Sequence, residues 1–230
     1  MAGSCAPPPG PADRFRAPAH CRTAVRLAAL AAAGYGYVSF VMCGRPPFSS
    51  APEGSWEFLK LVLAAMILAP LLDGWIARPW TRPAPDLWWG WIGFFLALHF
   101  QWIPRYARID FALDRSLFRG GTALPAWVAL IAAAMGLVFA VHRHVREARR
   151  RGHRRAYLAL LASVIAAPAL VTLALFDSHS LHLHHYALGA MLMPLARYRF
   201  PLSGAVFGLA FGLLVEGIAR WGMDPCWIPR

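Results

Sequence analysis

Apolar residues run along this chain in long blocks, each closed by a short stretch rich in arginine, proline or tryptophan. The blocks cover 24–43, 56–77, 87–103, 123–141, 156–176, 181–196 and 201–221. A helix needs roughly 17 to 25 apolar residues to cross a hydrocarbon layer about 30 Å thick. The pattern therefore predicts an all-α fold, a polytopic transmembrane helical bundle of about seven spans. Five or six are the alternatives, because 87–103 and 181–196 are short for a crossing.

Composition agrees with that reading. The chain has 230 residues, of which 58% are hydrophobic and 15% charged, and its mean hydropathy is +0.46. Soluble domains carry about 25% charged residues and could not hide this much apolar surface. Nearly all of the ten tryptophans fall at span ends, where an amphipathic ring gains by sitting at headgroup level. Two domains are expected: a Pro-rich, disordered cytosolic tail over 1–22, and a transmembrane helical domain over 23–230 with an Arg-rich cytosolic loop at 142–155. A cleaved secretory signal is disfavoured by the long Pro-rich leader, and a mitochondrial transit peptide by Asp13 and the prolines.

The net charge of +12 would point to nucleic acid in a soluble chain, but here the basic residues gather in the loops, and all but Lys60 are arginines. No nucleic-acid partner is expected. Counting arginines on alternate sides places Arg14, Arg16, Arg22, Arg78, Arg82, Arg143 to Arg155, Arg197 and Arg199 together. The excess puts the amino terminus in the cytosol and the carboxyl terminus in a lumen, in a eukaryotic endomembrane of the ER or Golgi type. The partner this predicts is the bilayer itself, with anionic headgroups at Arg143 to Arg155 at about 1 kcal/mol per basic residue. Protein partners are not identified. Cys43 and Cys226 would share the lumenal face, so a disulfide between them is topologically allowed.

One segment carries candidate chemistry. His179, His182, His184 and His185 fall within seven residues, and imidazole is costly at a membrane unless it has a partner. On a helix, His179, His182 and His185 would share an arc of about 120°, with His184 on another face beside Asp177. Three nitrogen donors on one stripe suit tetrahedral zinc, the fourth ligand being water or a group on a neighbouring helix. In the last span Gly204, Gly208 and Gly212 recur every fourth residue, a surface for close helix packing, and Glu216 continues the stripe. His99 belongs to the same side. The metal set is then His179, His182, His184, His185 and His99, with Glu216 and Asp224 as catalytic carboxylates, ligand or general base. Haem held by His99 with His182 or His185 is the second cofactor candidate. Arg220, four residues after Glu216, offers an ordinary ion pair instead. The histidine boxes of membrane di-iron enzymes are missing, as are phosphate loops and nucleophile elbows.

The run Leu181-His182-Leu183-His184-His185-Tyr186, followed by Met193-Pro194, Arg197, Gly204, Gly208, Gly212 and Gly217-Ile218-Ala219-Arg220-Trp221-Gly222-Met223-Asp224, resembles the multi-span membrane region of fungal LCCL-domain-containing proteins. The similarity covers roughly the last fifty residues. It implies a polytopic membrane protein of unassigned activity, with His182, His184, His185, Tyr186, Arg220 and Asp224 at the matching positions. The soluble LCCL domain has no counterpart here, and Glu216 stands where the family implies a neutral residue. Two functions follow as expectations: a lumenal-side metal-dependent activity on a lipid or lumenal substrate, or a non-enzymatic membrane adaptor or transporter component. In the second, the histidines, Asp177 and Asp224 form a structural polar lock.

Overall fold

A computed structural model describes residues 19–42, 55–75, 85–100, 124–175, 178–181, 184–198, 200–223 and 225–229. Seven α-helices are found among them: α1 (Ala19–Gly36), continued by a π-helical stretch Tyr37–Met42, α2 (Ser55–Trp75), α3 (Pro85–Leu98), α4 (Leu124–Arg150), α5 (Arg154–Ala174), α6 (His185–Leu192) and α7 (Pro201–Trp221). Two three-residue strands, β1 (His179–Leu181) and β2 (Trp227–Pro229), pair antiparallel with His179 opposite Pro229. Helix α1 opens at Ala19, inside the stretch expected to be a disordered tail.

Helix α7 is the centre of the molecule. Of its apolar stretch 78% is buried, against 11% for α4 and 6% for α5. Four helices, in α1, α4, α5 and α7, are long and apolar enough to cross a bilayer, and Trp88–Leu98 is a shorter apolar helix. With large apolar side chains such as Ile131, Met135, Val138, Leu170 and Leu173 more than half exposed to the surroundings, the chain is a multi-pass integral membrane protein. Water would penalise those side chains at ~25 cal/mol per Å²; lipid does not.

Glycine decides which helix α7 touches. A Cβ on Gly208 would overlap the carbonyl oxygen of Gly90, with the carbonyl carbon only 2.7 Å away, and one on Gly212 would lie 2.6 Å from the Phe94 oxygen. The small-residue face therefore packs on α3. The histidine segment meets α7 elsewhere: a Cβ on Gly217 would lie 2.7 Å from the Tyr186 backbone nitrogen, and one on Gly189 would crowd Ala210 and Leu214. These contacts fix directions. Helix α3 runs parallel to α7, since Gly90 meets Gly208 and Ala97 meets Gly212. Helix α6 runs antiparallel to it. The π-helical end of α1 comes to the same end as the end of α3, where the Tyr37 hydroxyl meets His99.

The two ends of the bundle are closed differently. At the carboxyl-terminal end of α7, Gly222 adopts φ 70° and the Met223 N–H donates to Glu57 Oε2 at 2.9 Å. Glu57 also accepts from Lys60, so the start of α2 covers the last turn of α7. At the opposite end a Schellman turn joins α4 to α5: the His153 N–H donates to the Ala148 carbonyl at 2.8 Å and the Gly152 N–H to Arg149 at 3.1 Å. Gly152 supplies the φ of 74° that this turn requires.

The expected sixth span over 181–196 is not one helix. Pairing with β2 draws 179–181 into a strand, α6 begins only at His185, and Pro194, which has no N–H to donate, lies in the 3-10 turn Met193–Leu195 that follows.

Candidate functional site

His184 caps α6 in an extended conformation, φ −72° and ψ 152°, and His185 is the first helical residue. This places the His185 ring against the penultimate turn of α7. There Glu216 is wholly buried and Arg220 is 2% exposed. Arg220 Nε donates to Glu216 Oε1 at 2.6 Å, and His185 Nδ1 lies 3.5 Å from Glu216 Oε2. The i, i+4 spacing puts the guanidinium above the carboxylate, and burial makes the pairing obligatory. A buried charge stripped of its partner costs about 3 to 5 kcal/mol. The Phe100 ring meets the His185 ring edge-on with centroids 4.7 Å apart, so His185 spans from a sealed carboxylate to the rim of the bundle.

The remaining predicted ligands are elsewhere. His179 is on β1 and its Nδ1 pairs with Ser178 Oγ at 2.7 Å. The His184 ring stacks over Tyr186, centroids 5.7 Å apart, and the Tyr186 hydroxyl approaches the free thiol of Cys226 at 3.6 Å. His99 Nδ1 donates to the Phe95 carbonyl at 2.7 Å. A carbonyl only accepts, so His99 Nε2 is left to accept from the Tyr37 hydroxyl at 3.0 Å. His182, Asp177, Asp224 and Cys43 lie outside the described residues.

The stripe of His179, His182 and His185 is corrected by the backbone: its first member is in a strand and its last opens a helix, so no helical spacing relates them. Among the described residues no three His, Cys, Asp or Glu side chains converge to hold a metal ion. Zinc held by that stripe thus loses its geometric basis. The bis-histidine pairing of His99 with His185 loses its own, because His99 is committed on both nitrogens.

A second buried polar group, at the other end of α7, was not foreseen. His144 is 1% exposed, as is Ser203. His144 Nδ1 donates to the Ala140 carbonyl at 2.7 Å, so Nε2 accepts from the Ser203 hydroxyl at 3.0 Å. Ser203 Oγ in turn accepts from the Tyr198 N–H at 3.3 Å. Rings of Tyr157, Tyr198 and Phe200 enclose the imidazole, and the Tyr157 hydroxyl donates to the Leu195 carbonyl at 3.2 Å. A serine donating to an oriented imidazole resembles an activated nucleophile. Enclosed this completely, the pair meets no solute and serves to tie α4 to α7. The signal in the sequence was the spacing of four in Ala140, His144 and Ala148, all buried, which the surrounding arginines mask.

The chain matches no protein-family model, no curated protein and no solved structure.

Proposed function

We propose that this chain is a seven-pass membrane protein acting as a non-enzymatic adaptor or transporter component, in which His185, Glu216 and Arg220 form a polar lock between α6 and α7. The observation that carries this reading is Glu216: it is the wholly buried acid of the central helix, and its two oxygens face Arg220 and His185. Ionisable groups at membrane depth persist where they are paired and face protein. With one oxygen held by Arg220, the other 3.5 Å from His185 and the side chain wholly buried, this carboxylate has no open face to offer a substrate.

The directions of the helices support a count of seven crossings. Segment 185–198 runs from the level of Gly217 to that of Ser203, so the short α6 with its 3-10 turn does the work of a span. Arginine-rich turns then fall at the amino-terminal end of α7, the cytosolic side, and the His185 rim faces the lumen. The resemblance to the membrane region of fungal LCCL-domain-containing proteins is compatible with this role, since its His185 and Arg220 positions are members of the lock.

Metal content and thermal unfolding of the purified chain, with and without His185→Ala, test the proposal. We expect no stoichiometric zinc, iron or haem in either protein and a lower melting temperature for the variant. Stoichiometric metal that disappears with His185→Ala would overturn the lock in favour of a metal centre.

A further inference from the structure

At the cytosolic end, just outside the His144 pair, Arg143, Arg146, Glu147, Arg150 and Phe200 line an open cleft of about 150 Å³. We infer that this cleft binds a single phosphomonoester group, presented by a phosphorylated lipid headgroup or by a free phosphorylated solute.

The charge is uneven in a way that favours a dianion. Three guanidiniums face one carboxylate, leaving two positive charges. Glu147 is already engaged, by Arg151 Nε at 2.8 Å and Arg150 at 3.8 Å. Arg143 and Arg146 have no acidic partner among the described residues. They stand three apart on α4, neighbours on one helix face. A phosphomonoester carries about −1.5 to −2 charges and three strong acceptor oxygens, whereas a phosphodiester offers one charge. Guanidinium forks recognise phosphate in two-pronged fashion, which lysine cannot do.

The cleft is also built rather than merely basic. Phe200 lines it, with its ring packed on His144 at a centroid distance of 4.8 Å, and the buried His144 to Ser203 bond fixes α4 against the start of α7. The volume is below the roughly 300 to 1,000 Å³ of small-molecule sites, so it suits a phosphate group and not a whole metabolite. Arg154 and Arg155 belong to a separate depression with Gly152 and Leu158, which makes them a built-in control.

The lipid source rests on the cytosolic orientation proposed above; the phosphate chemistry does not. The test uses the full chain in nanodiscs containing either a phosphatidylinositol monophosphate or phosphatidylserine at equal total headgroup charge, with retained lipid counted by native mass spectrometry. Inositol trisphosphate is titrated separately against the detergent-solubilised chain. We expect one phosphomonoester lipid per chain, phosphatidylserine not retained, and binding at least about tenfold weaker in Arg143→Gln/Arg146→Gln, the scale of one lost charge-assisted hydrogen bond. Arg154→Gln/Arg155→Gln should bind as the parent does. Binding of inositol trisphosphate alone, with the same dependence on the variants, supports the phosphate cleft and assigns it to a solute. Equal retention of phosphatidylserine, or equal losses in both double variants, would reduce the cleft to a diffuse basic surface and overturn the inference. Protease access to residues 142–155 reports the orientation independently: a lumenal loop would sink the topology while leaving the detergent titration to judge the cleft.

Discussion

Replacing Arg220 by methionine keeps an unbranched apolar stem but removes the guanidinium and its charge, leaving Glu216 sealed in the bundle with His185 as its polar neighbour among the described residues. Because Glu216 is 0% exposed and Arg220 2%, water cannot replace the lost guanidinium. The expected cost is about 3 to 5 kcal/mol, two to four orders of magnitude in the folding constant at roughly 1.4 kcal/mol per tenfold. Glu216→Met alone should cost a similar amount by stranding Arg220. The double variant Glu216→Met/Arg220→Met removes both charges together, and comparable replacements of buried pairs are neutral or stabilising by about 1 to 4 kcal/mol. Reversible unfolding of the detergent-solubilised chain by sodium dodecyl sulfate, followed by tryptophan fluorescence, reads all four proteins. A large favourable coupling in the double-mutant cycle is the predicted result. Costs that simply add, or singles that unfold like the parent, would refute the idea of a mutually dependent buried pair.

Gly208→Ala should damage the contact between α3 and α7, since the new Cβ overlaps the Gly90 carbonyl; overpacking costs about 1 to 3 kcal/mol or more. Gly136→Ala, with nothing within 4 Å of its added Cβ, should be neutral or stabilising by up to about 1 kcal/mol, and the same unfolding assay separates the two. Ser203→Ala leaves His144 Nε2 and the Tyr198 N–H without their partner. A loss of about 1 to 3 kcal/mol is expected, with the 142–155 turn becoming more accessible to protease.

The helices were legible because each apolar block must be buried in protein or lipid, and the period and length of such a block survive any tertiary arrangement. The i, i+4 pairing of Glu216 with Arg220 was equally local, and so readable. What escaped was non-local. Whether 179–181 is helix or strand depends on 227–229 folding back beside it, and no pattern within the histidine segment records that. The glycine face of α7 was visible as a close-packing surface, but its partner is α3; stripe spacing alone does not choose between neighbours. His144 was hidden for another reason. Its arginine neighbours on the same helix suggested a solvated loop, while the helix continues to Arg150 and turns that one face inward.

If the lock is what holds α6 against α7, its removal should loosen α6 alone. Amide hydrogen exchange across the chain in lipid nanodiscs, compared between the parent and His185→Ala, which removes the α6 side of the lock and leaves the Glu216–Arg220 pair intact, measures this directly. Faster exchange over 185–192, with α3 and the middle of α7 still protected, is the result predicted here. Unchanged protection of 185–192, or a uniform loss throughout the bundle, would contradict it.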